Sequence, residues 1–391
     1  EGRNPSGSDE IRTFAVPTPG SDSPPVVNPD AVVINEIMAN NRSYFDDSGA
    51  LRDWVELYNK SGQVVDLAGL GLTDRLDQPY RWAFPPGATI QPNGYLVVYF
   101  DSQTAPSATN TGFGLSANGD SLYMFDRPGA GPTRVLDSVE FGIQAADFTI
   151  GRIIDSSGAW ILNQPTPGRP NKAAAMGGAE DLRINEWMAN PLPGDEDWIE
   201  IYNSSALPVA IGGLYLTDNL AEPFKFSIRP LSFIGVGLSA FQLFVADGNE
   251  TAGAEHVNFK LSAGGESIGL ADSEGHFIDS IVFGAQDEGV SEGRYPDGSG
   301  TIISFGLNPT PGWRNNPVAG PNLVLYLLKT GDVMLRWNSR PGQKFQVQST
   351  LSLANPQWET LRTIDAADRE TVLVVPPEDG ASCYYRVLVM R

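Results

Sequence analysis

The sequence contains very little cysteine and histidine. Cys383 is the only cysteine among 391 residues, so no disulfide can form within the chain. It lies in a segment with the pattern of a strand, where a lone cysteine behaves as a small buried apolar side chain. The two histidines, His256 and His276, have no second histidine or cysteine at the spacing of a zinc site. These features exclude a disulfide scaffold and argue against zinc-based or histidine-based catalysis.

Long apolar runs and known catalytic motifs are also missing. No hydrophobic run approaches the roughly 18–20 residues that span a bilayer, so we expect no membrane insertion. No P-loop, nucleophile elbow or zinc-protease helix motif occurs in the chain. Carboxylates are so frequent that composition alone does not exclude a pair of catalytic carboxylates like that of a glycosidase, but no other feature supports one. We therefore expect no catalytic residue and no enzymatic activity.

Positive charge is scarce. The chain has 26 Lys and Arg against 47 Asp and Glu, which gives a net charge of −21. Affinity for nucleic acid comes largely from Lys and Arg that neutralise phosphates, so nucleic acid is not an expected partner. The acidic surface fits simple solubility or, alternatively, binding of divalent cations by carboxylates in loops.

The main feature of the sequence is an internal duplication. Six motifs occur twice in the same order, at a period of about 145 residues. The paired segments are 34–40 and 184–190, 53–59 and 197–203, 69–74 and 213–218, 113–117 and 259–263, 136–142 and 278–284, and 165–168 and 309–312. Solenoid repeats run to about 20–50 residues, so this period indicates duplicated domains. Tandem copies of one module are more typical of presentation or binding than of catalysis.

Signals for short strands dominate each copy. Runs of β-branched and aromatic residues alternate with clusters of Gly, Pro, Asn and Asp, and no stretch has a sustained helical stripe. The predicted strands of the first copy are 31–37, 54–58, 95–100, 121–125 and 135–141. Several short strands without helices between them predict an antiparallel β-sandwich. Trp54, Trp198 and Trp337 lie in predicted strands and are expected to anchor cores.

Taken together, the motifs resemble those of the lamin-tail domain family. The resemblance rests on Ile-Asn-Glu-Ile-Met-Ala-Asn, Asp-Trp-Val-Glu-Leu-Tyr-Asn, Leu-Thr-Asp and the closing Pro-Thr-Pro-Gly. It covers residues 31–172 and 181–316, with 173–180 as a linker. The family has an immunoglobulin-like β-sandwich fold, so the resemblance implies two tandem sandwiches in an all-β chain. Similar modules occur in large exported bacterial proteins, often of planctomycete or verrucomicrobial type, which implies a location outside the cell or on its surface.

Both ends of the chain lie outside the two copies. Residues 1–20 contain Gly-Arg and, about fifteen residues later, Pro-Thr-Pro-Gly, as at the end of each copy. We interpret them as the terminal strand of a preceding repeat in a longer parent protein, or alternatively as a leader without structure. Residues 21–30 then form a Pro-rich linker. Residues 317–391 resemble a reduced fibronectin-III-like sandwich, with strands predicted at 323–328, 332–337, 344–349, 359–364, 371–375 and 384–390.

Several carboxylates are duplicated with the motifs. The pairs are Glu36 with Glu186, Glu56 with Glu200, Asp53 with Asp197, and Asp74 with Asp218. We expect the aspartates to accept backbone N–H bonds at turns and strand starts. We expect the glutamates to pair with an arginine such as Arg152 or with exposed backbone.

Calcium binding is the alternative role for the acidic residues. A calcium site needs about 6–8 oxygen ligands from carboxylates, amides and carbonyls. Acidic residues in matching loops of the two copies are the candidate ligands: Asp46, Asp47, Asp53, Asp195, Glu196 and Asp197. Calcium is the one cofactor that the sequence suggests.

Aromatic residues lie in a polar, Pro-containing loop of each copy. Tyr80 and Trp82 lie in the first copy, and Phe224 lies at the equivalent place in the second. These rings either form a platform that binds a glycan or belong to a loop folded over the open end of the sandwich.

We expect a non-catalytic, exported or cell-surface protein that acts in structure or adhesion through tandem β-sandwich modules. Its expected partners are other protein surfaces or its own copies, with glycans as a further candidate. Self-assembly can occur if the strand in residues 1–20 adds to a sheet edge of a neighbouring copy. The alternative is a glycan- or calcium-binding accessory segment of a larger secreted enzyme whose catalytic domain lies upstream.

Overall fold

The computed structural model describes residues 2–3, 11–12, 29–46, 48–129, 133–153, 155, 157–306, 309–317, 320–328, 330–354, 356–376 and 382–390. Within these ranges the regular structure is β, apart from three 3-10 turns at Pro29–Ala31, Ala179–Asp181 and Gly237–Ser239. None of these ranges contains a helix with the length and apolar character needed to cross a membrane. The predicted all-β class is confirmed.

The N-terminal segment contains a short antiparallel hairpin. Its strands are β1 (Gly2–Arg3) and β2 (Ile11–Arg12). Most of residues 1–20, which we interpret as the end of a preceding repeat, and nearly all of the linker at 21–30 lie outside the described residues.

The first repeat forms a β-sandwich. Its described residues contain twelve strands: β3 (Val32–Met38), β4 (Asp53–Asn59), β5 (Val65–Asp66), β6 (Gly71–Thr73), β7 (Trp82–Ala83), β8 (Thr89–Ile90), β9 (Tyr95–Phe100), β10 (Asp120–Phe125), β11 (Val135–Phe141), β12 (Thr149–Ile153), β13 (Ala159–Gln164) and β14 (Lys172–Ala173). One sheet has the order β14-β13-β12-β3-β4-β9, the other has the order β11-β10-β6-β7, and β5 pairs with β8. In β4, Val55 and Leu57 point into the core between the sheets, so Glu56 points to the outer face.

The second repeat has the same architecture. Its described residues contain eleven strands: β15 (Leu182–Met188), β16 (Trp198–Asn203), β17 (Val209–Ala210), β18 (Tyr215–Thr217), β19 (Phe226–Ser227), β20 (Phe233–Ile234), β21 (Phe241–Val245), β22 (Ser267–Ala271), β23 (Phe277–Val282), β24 (Ser291–Arg294) and β25 (Ile302–Phe305). The sheet orders are β21-β16-β15-β24-β25 and β19-β18-β22-β23. Both repeats have a register shift at the same place, between Ile34 and Glu36 and between Ile184 and Glu186. The duplication therefore extends to a β-bulge.

The C-terminal domain is a smaller sandwich. The described residues after 320 contain six strands: β26 (Val324–Leu327), β27 (Val333–Asn338), β28 (Lys344–Thr350), β29 (Glu359–Asp365), β30 (Glu370–Val375) and β31 (Tyr384–Met390). Two three-stranded sheets, β26-β27-β30 and β29-β28-β31, enclose a core around Trp337 and Phe345. Tandem β-sandwiches are thus confirmed as the fold class. Trp337 packs in a core as expected. Trp54 and Trp198 are buried instead on the outer sheet face that carries Glu56 and Glu200, so the expectation that they anchor cores is wrong. The likeness of this domain to fibronectin III stays a prediction.

The two repeats are joined by contacts between the segment after β11 and the loop before β20. Four hydrogen bonds connect them: Gly142 N–H to the Pro230 carbonyl (3.1 Å), Phe233 N–H to the Ile143 carbonyl (2.8 Å), Ile143 N–H to Ser232 Oγ (3.0 Å) and Gln144 Nε2 to the Leu231 carbonyl (2.8 Å). Phe233 packs in the core of the first repeat, and Ile143 packs in the core of the second. Because each repeat contributes a side chain to the other core, the two sandwiches form one packed unit.

The junction predicts opposite outcomes for one substitution at two equivalent glycines. A Cβ atom at Gly142 would clash with Ser232 Oγ, whereas at Gly284 no described atom lies within 4 Å. We expect Gly142→Ala to lower the free energy of unfolding by about 1–3 kcal/mol because the junction must shift. Gly284→Ala should change it by less than about 0.5 kcal/mol. Equal effects in calorimetric or urea unfolding would contradict this account of the junction.

Candidate functional site at the buried glutamate pairs

Each repeat buries two glutamates side by side on the outer face of its larger sheet. Glu36 of β3 and Glu56 of β4 are cross-strand partners, and both are 0% exposed. Glu186 and Glu200 form the same pair between β15 and β16, also with 0% exposure. An outer sheet face is normally open to water, so another segment must cover these carboxyl groups.

The covering segment in the first repeat is the closing strap, residues 165–171. Thr166 donates to Glu36 twice, through its N–H (3.0 Å to Oε1) and its Oγ1 (3.0 Å to Oε2). The N–H of Gly168 donates to Glu56 Oε2 (2.5 Å). Pro165 and Pro167 carry no N–H, so Thr166 and Gly168 supply the backbone donors of the Pro-Thr-Pro-Gly motif. The motif thereby joins the end of the repeat to its first two long strands.

The second repeat repeats this arrangement with its own closing strap, residues 309–315. Thr310 donates to Glu186 through its N–H (3.0 Å to Oε1) and its Oγ1 (2.7 Å to Oε2). The N–H of Gly312 donates to Glu200 Oε2 (2.6 Å). Gly168 and Gly312 both have a positive φ, 75° and 79°, which favours glycine at this position of the strap.

An asparagine fastens the far end of each strap. Asn171 Nδ2 donates to the carbonyls of Asn35 (2.9 Å) and Arg152 (3.0 Å), and its N–H donates to Asp155 Oδ1 (3.0 Å). Asn315 makes the equivalent bonds in the second repeat, to Asn185, Arg294 and Asp297. The strap is therefore held at both ends by polar groups rather than by an apolar core.

Burial dominates the electrostatics of the glutamate pairs. It raises the pKa of Glu36 to about 7 and that of Glu56 to about 8, from an ordinary value of 4.5. For Glu56 the negative charge of Glu36 adds to the rise in pKa, while the hydrogen bonds from Gly168 of the strap and from Asn35 oppose it. Burial likewise raises the pKa of Glu186 and of Glu200. The pairs thus favour a protonated carboxyl near neutral pH.

Two partners were expected for these glutamates, an arginine such as Arg152 or exposed backbone. The backbone alternative is confirmed by the N–H bonds of the straps, and the ion pair with Arg152 is wrong. Arg152 instead donates to Asp137 (2.9 Å) and to the carbonyl of Ile34 (3.0 Å). The reason is the alternation of the strand, because Gly151 is the cross-strand partner of Glu36 and Arg152 points to the opposite face. In the second repeat Arg294 makes the same bonds to Asp279 and Ile184.

The two groups of duplicated aspartates have different roles. Asp53 and Asp197 accept backbone N–H bonds, from Asn41 (3.1 Å) and Leu261 (2.9 Å), which confirms their predicted role at strand starts. In the Leu-Thr-Asp turn, however, Thr73 Oγ1 accepts the backbone N–H of Arg75 (2.9 Å).

The aspartates of that turn form ion pairs instead. Asp74 pairs with Arg81, and Asp218 pairs with Lys225. The expectation that these aspartates cap the turn is therefore wrong, because the neighbouring threonine hydroxyl already does so.

Several predicted calcium ligands have partners within the protein. Asp46 Oδ1 accepts the N–H groups of Ser48 (2.8 Å) and Ala50 (3.0 Å), and Glu196 lies 3.4 Å from Lys260 Nζ. Asp195 lines a cleft that faces the C-terminal domain. Asp47 lies outside the described residues. The described part of the chain contains no group of three or more His, Cys, Asp or Glu arranged to hold a metal ion, and calcium binding stays a prediction.

Chelation tests the calcium hypothesis. If calcium binds the folded chain, excess EDTA lowers the midpoint of thermal unfolding and added calcium restores it, since a ligand at 100 times its Kd stabilises by about 2.7 kcal/mol. An unchanged midpoint in EDTA would remove calcium as a structural ligand.

The aromatic candidates differ in how accessible they are. Trp82 is only 6% exposed, packs against Phe84 and donates from Nε1 to the carbonyl of Ser107 (3.0 Å). It is a core side chain, so of the two alternatives for this ring the glycan platform is excluded and an inward-folded loop remains. The hydroxyl of Tyr80 donates to the carbonyl of Asp126 (2.8 Å), while Phe224 is 52% exposed. Glycan binding at Tyr80 and Phe224 stays a prediction.

Asn163, near the first strap, predicts a stabilising substitution. It is fully buried, neither Nδ2 nor Oδ1 has a hydrogen-bond partner, and the matching position in the second repeat is Phe305. We expect Asn163→Val to raise the free energy of unfolding by about 1 kcal/mol, because an unpaired buried amide is removed. Asn171→Val is the matched control and should lower it by about 1–3 kcal/mol, because it leaves carbonyl groups unpaired. If both variants are destabilised alike in urea unfolding, this reading of Asn163 fails.

Comparison with known proteins agrees with the duplicated architecture. A family model described as Lamin Tail Domain matches residues 25–142 and 176–285, which together exceed half of the chain. The family is a non-enzymatic one with an immunoglobulin-like fold. No curated protein matches the chain. The matched ranges end before the closing hairpins and straps of the two repeats.

Proposed function

This chain belongs to the lamin tail domain family, and on that premise we propose that it is a non-catalytic structural protein. In this proposal it is exported or attached to the surface of a bacterial cell, where its modules act in adhesion or surface structure. Other protein surfaces, including copies of the same chain, are its proposed partners. No cofactor is required for this role.

The observation that carries the proposal is the shared packing of the two repeats. Separating them would expose Phe233 and Ile143 and break the four hydrogen bonds of the junction and the bond from Asn118 to Glu255. A junction of this kind keeps consecutive modules at a constant spacing, which is what a spacer or load-bearing segment requires. Loosely linked binding modules do not need it.

The glutamate pairs support the absence of catalysis in this proposal. They are the strongest candidates for acid–base chemistry because their pKa values are raised. Yet all four carboxyl groups are 0% exposed and are covered by the straps, so a substrate has no direct access to them. Nδ1 of His256 lies 2.8 Å from Oδ2 of Asp247, so this histidine is hydrogen-bonded within the protein.

Self-assembly through the N-terminal hairpin is part of the proposal. In three hairpins a glycine pairs with the residue ten positions later: Gly2 with Arg12, Gly151 with Ile161 and Gly293 with Ile303. In both complete repeats this glycine also pairs with the first long strand, opposite Glu36 or Glu186. We propose that the β1–β2 hairpin adds in the same way to a sheet of a neighbouring copy.

Deletion of residues 1–20 tests self-assembly. We expect the full chain to form concentration-dependent oligomers in analytical ultracentrifugation, and the deleted chain to remain monomeric with an unchanged melting midpoint. If the full chain is monomeric at high concentration, strand addition is wrong. A load-bearing role is tested separately, by single-molecule force measurements on the chain.

The second candidate function is a glycan-binding accessory segment of a larger secreted enzyme. One observation favours it, namely the exposure of Phe224 beside Tyr215, with ring centres 5.0 Å apart. A glycan array with the unmodified chain and Phe224→Ala separates the candidates. Binding that is lost in the variant supports the accessory role, and no binding supports the structural one.

A further inference from the structure

Each closing strap is held by two carboxyl groups that are cross-strand partners, and no Lys or Arg of the described residues donates to either of them. We propose that these glutamate pairs form a pH-sensitive latch, which keeps the strap closed while the pair holds a proton and releases it when both glutamates are ionised. Release would loosen the joint between that repeat and the following domain. The same device occurs twice, in the Glu36–Glu56 and Glu186–Glu200 pairs.

The geometry makes the strap dependent on the glutamates. Cross-strand partners have Cα atoms about 4.5–5.5 Å apart, so the two carboxyl groups of a pair lie close to each other. Three donor groups of each strap bond to these carboxyl groups. They are Thr166 N–H and Oγ1 and Gly168 N–H in the first repeat, and Thr310 N–H and Oγ1 and Gly312 N–H in the second. If the pair takes up water, the strap loses these attachments.

The surrounding charges increase the repulsion rather than relieve it. The charged groups outside the pairs that raise the pKa of these glutamates are Asp155 in the first repeat and Asp297 in the second. Tyr95 donates its hydroxyl to Asp155 (2.6 Å) from β9, and Arg314 of the second strap acts on Asp297. Arg169 of the first strap is exposed. Among the described residues, no Lys or Arg donates to any of the four glutamates.

The direction of the pH effect follows from proton binding. In the closed state burial raises the pKa of Glu36 to about 7 and that of Glu56 to about 8. A glutamate released into water returns toward 4.5 and loses its proton. The closed strap therefore holds protons that the open strap gives up, so opening becomes easier as pH rises from about 4.5 to about 8. Below this window both states are protonated, and the closed strap is not penalised.

The straps occupy positions from which they can affect the joints between domains. The first strap leads into β14 and then to Gly177, whose N–H donates to the carbonyl of Pro208 in the second repeat (2.9 Å). The second strap leads to the C-terminal domain. Its Pro311 and Gly312 line a cleft together with Arg336 and Glu370 of that domain. Opening of the first strap thus loosens the segment that holds the Gly177–Pro208 bond. Opening of the second removes one side of the cleft at the C-terminal domain.

Glutamine substitutions remove the charge with little change in structure. In Glu36→Gln, Oε1 can still accept hydrogen bonds from Thr149 Oγ1 and from the N–H of Thr166. The new Nε2 can donate to Thr166 Oγ1. The threonine hydroxyl can then turn its proton toward Asn171 Oδ1, which lies 3.4 Å away. Thr310 Oγ1 has the same option in Glu186→Gln, because Asn315 Oδ1 lies 3.1 Å away. One ionisable carboxyl remains in each pair, without a like charge opposite it.

Hydrogen exchange measured by mass spectrometry at pH 6 and pH 8.5 tests the latch. After correction for the intrinsic pH dependence of exchange, we expect the unmodified straps to open at least about tenfold more at pH 8.5, the effect of one pKa unit. In Glu36→Gln only the first strap should respond less to pH, and in Glu186→Gln only the second, because the repulsion within that pair is gone while its remaining glutamate is still buried. The exposed substitutions Glu140→Gln and Glu222→Gln are controls and should leave both straps responsive.

Two results would overturn the proposal. One is strap exchange in the unmodified chain that does not increase with pH after correction. The other is a pH response of undiminished size in a strap whose own glutamate is replaced, since opening would then depend on charges outside the pair. The two single variants are independent, so a failure of one to fold, seen by circular dichroism at pH 6, leaves the test of the other strap complete.

Discussion

A carboxyl group taken out of water must be given hydrogen-bond donors or a proton, and this requirement organises both repeats. The alternation of β3 and β4 places Glu36 and Glu56 on the outer face of the sheet, where only a later segment of the chain can cover them. Pro-Thr-Pro-Gly supplies that cover. Its prolines carry no N–H group, and the N–H groups of Thr166 and Gly168 donate to Glu36 and Glu56. Asn171 binds the end of the strap to the backbone of β3.

The same requirement connects the fold of one repeat to the arrangement of the next. A strap that closes the sheet also fixes where the chain leaves the repeat, so the following domain starts from a defined position. Between the repeats, Phe233 and Ile143 are exchanged between the two cores and make the junction part of the hydrophobic interior. Modules joined by packed side chains and polar straps suit a protein whose role is to keep its domains at a constant distance from one another.

Local patterns were sufficient to predict the strands, whereas the site depended on contacts between distant segments. The predicted strands at 95–100, 135–141 and 384–390 agree with Tyr95–Phe100, Val135–Phe141 and Tyr384–Met390. The sequence left the partner of Glu36 open between an arginine and exposed backbone, because Thr166 lies 130 residues away and no local pattern connects the two. The available signal was the joint duplication of Glu36, Glu56 and Pro-Thr-Pro-Gly. For Trp82 two alternatives stayed open, because a polar loop sequence does not show which ring turns inward.

The central claim is that the glutamate pairs are buried and hold protons at neutral pH because the closing straps cover them. The most direct test is an NMR titration of the side-chain carboxyl carbons of Glu36 and Glu56, assigned by substitution. The account predicts apparent pKa values of about 7 and about 8 for the pair in the folded chain. If both carboxyl groups titrate near 4.5, the ordinary value for glutamate, the pair is solvated and the account of the straps is contradicted.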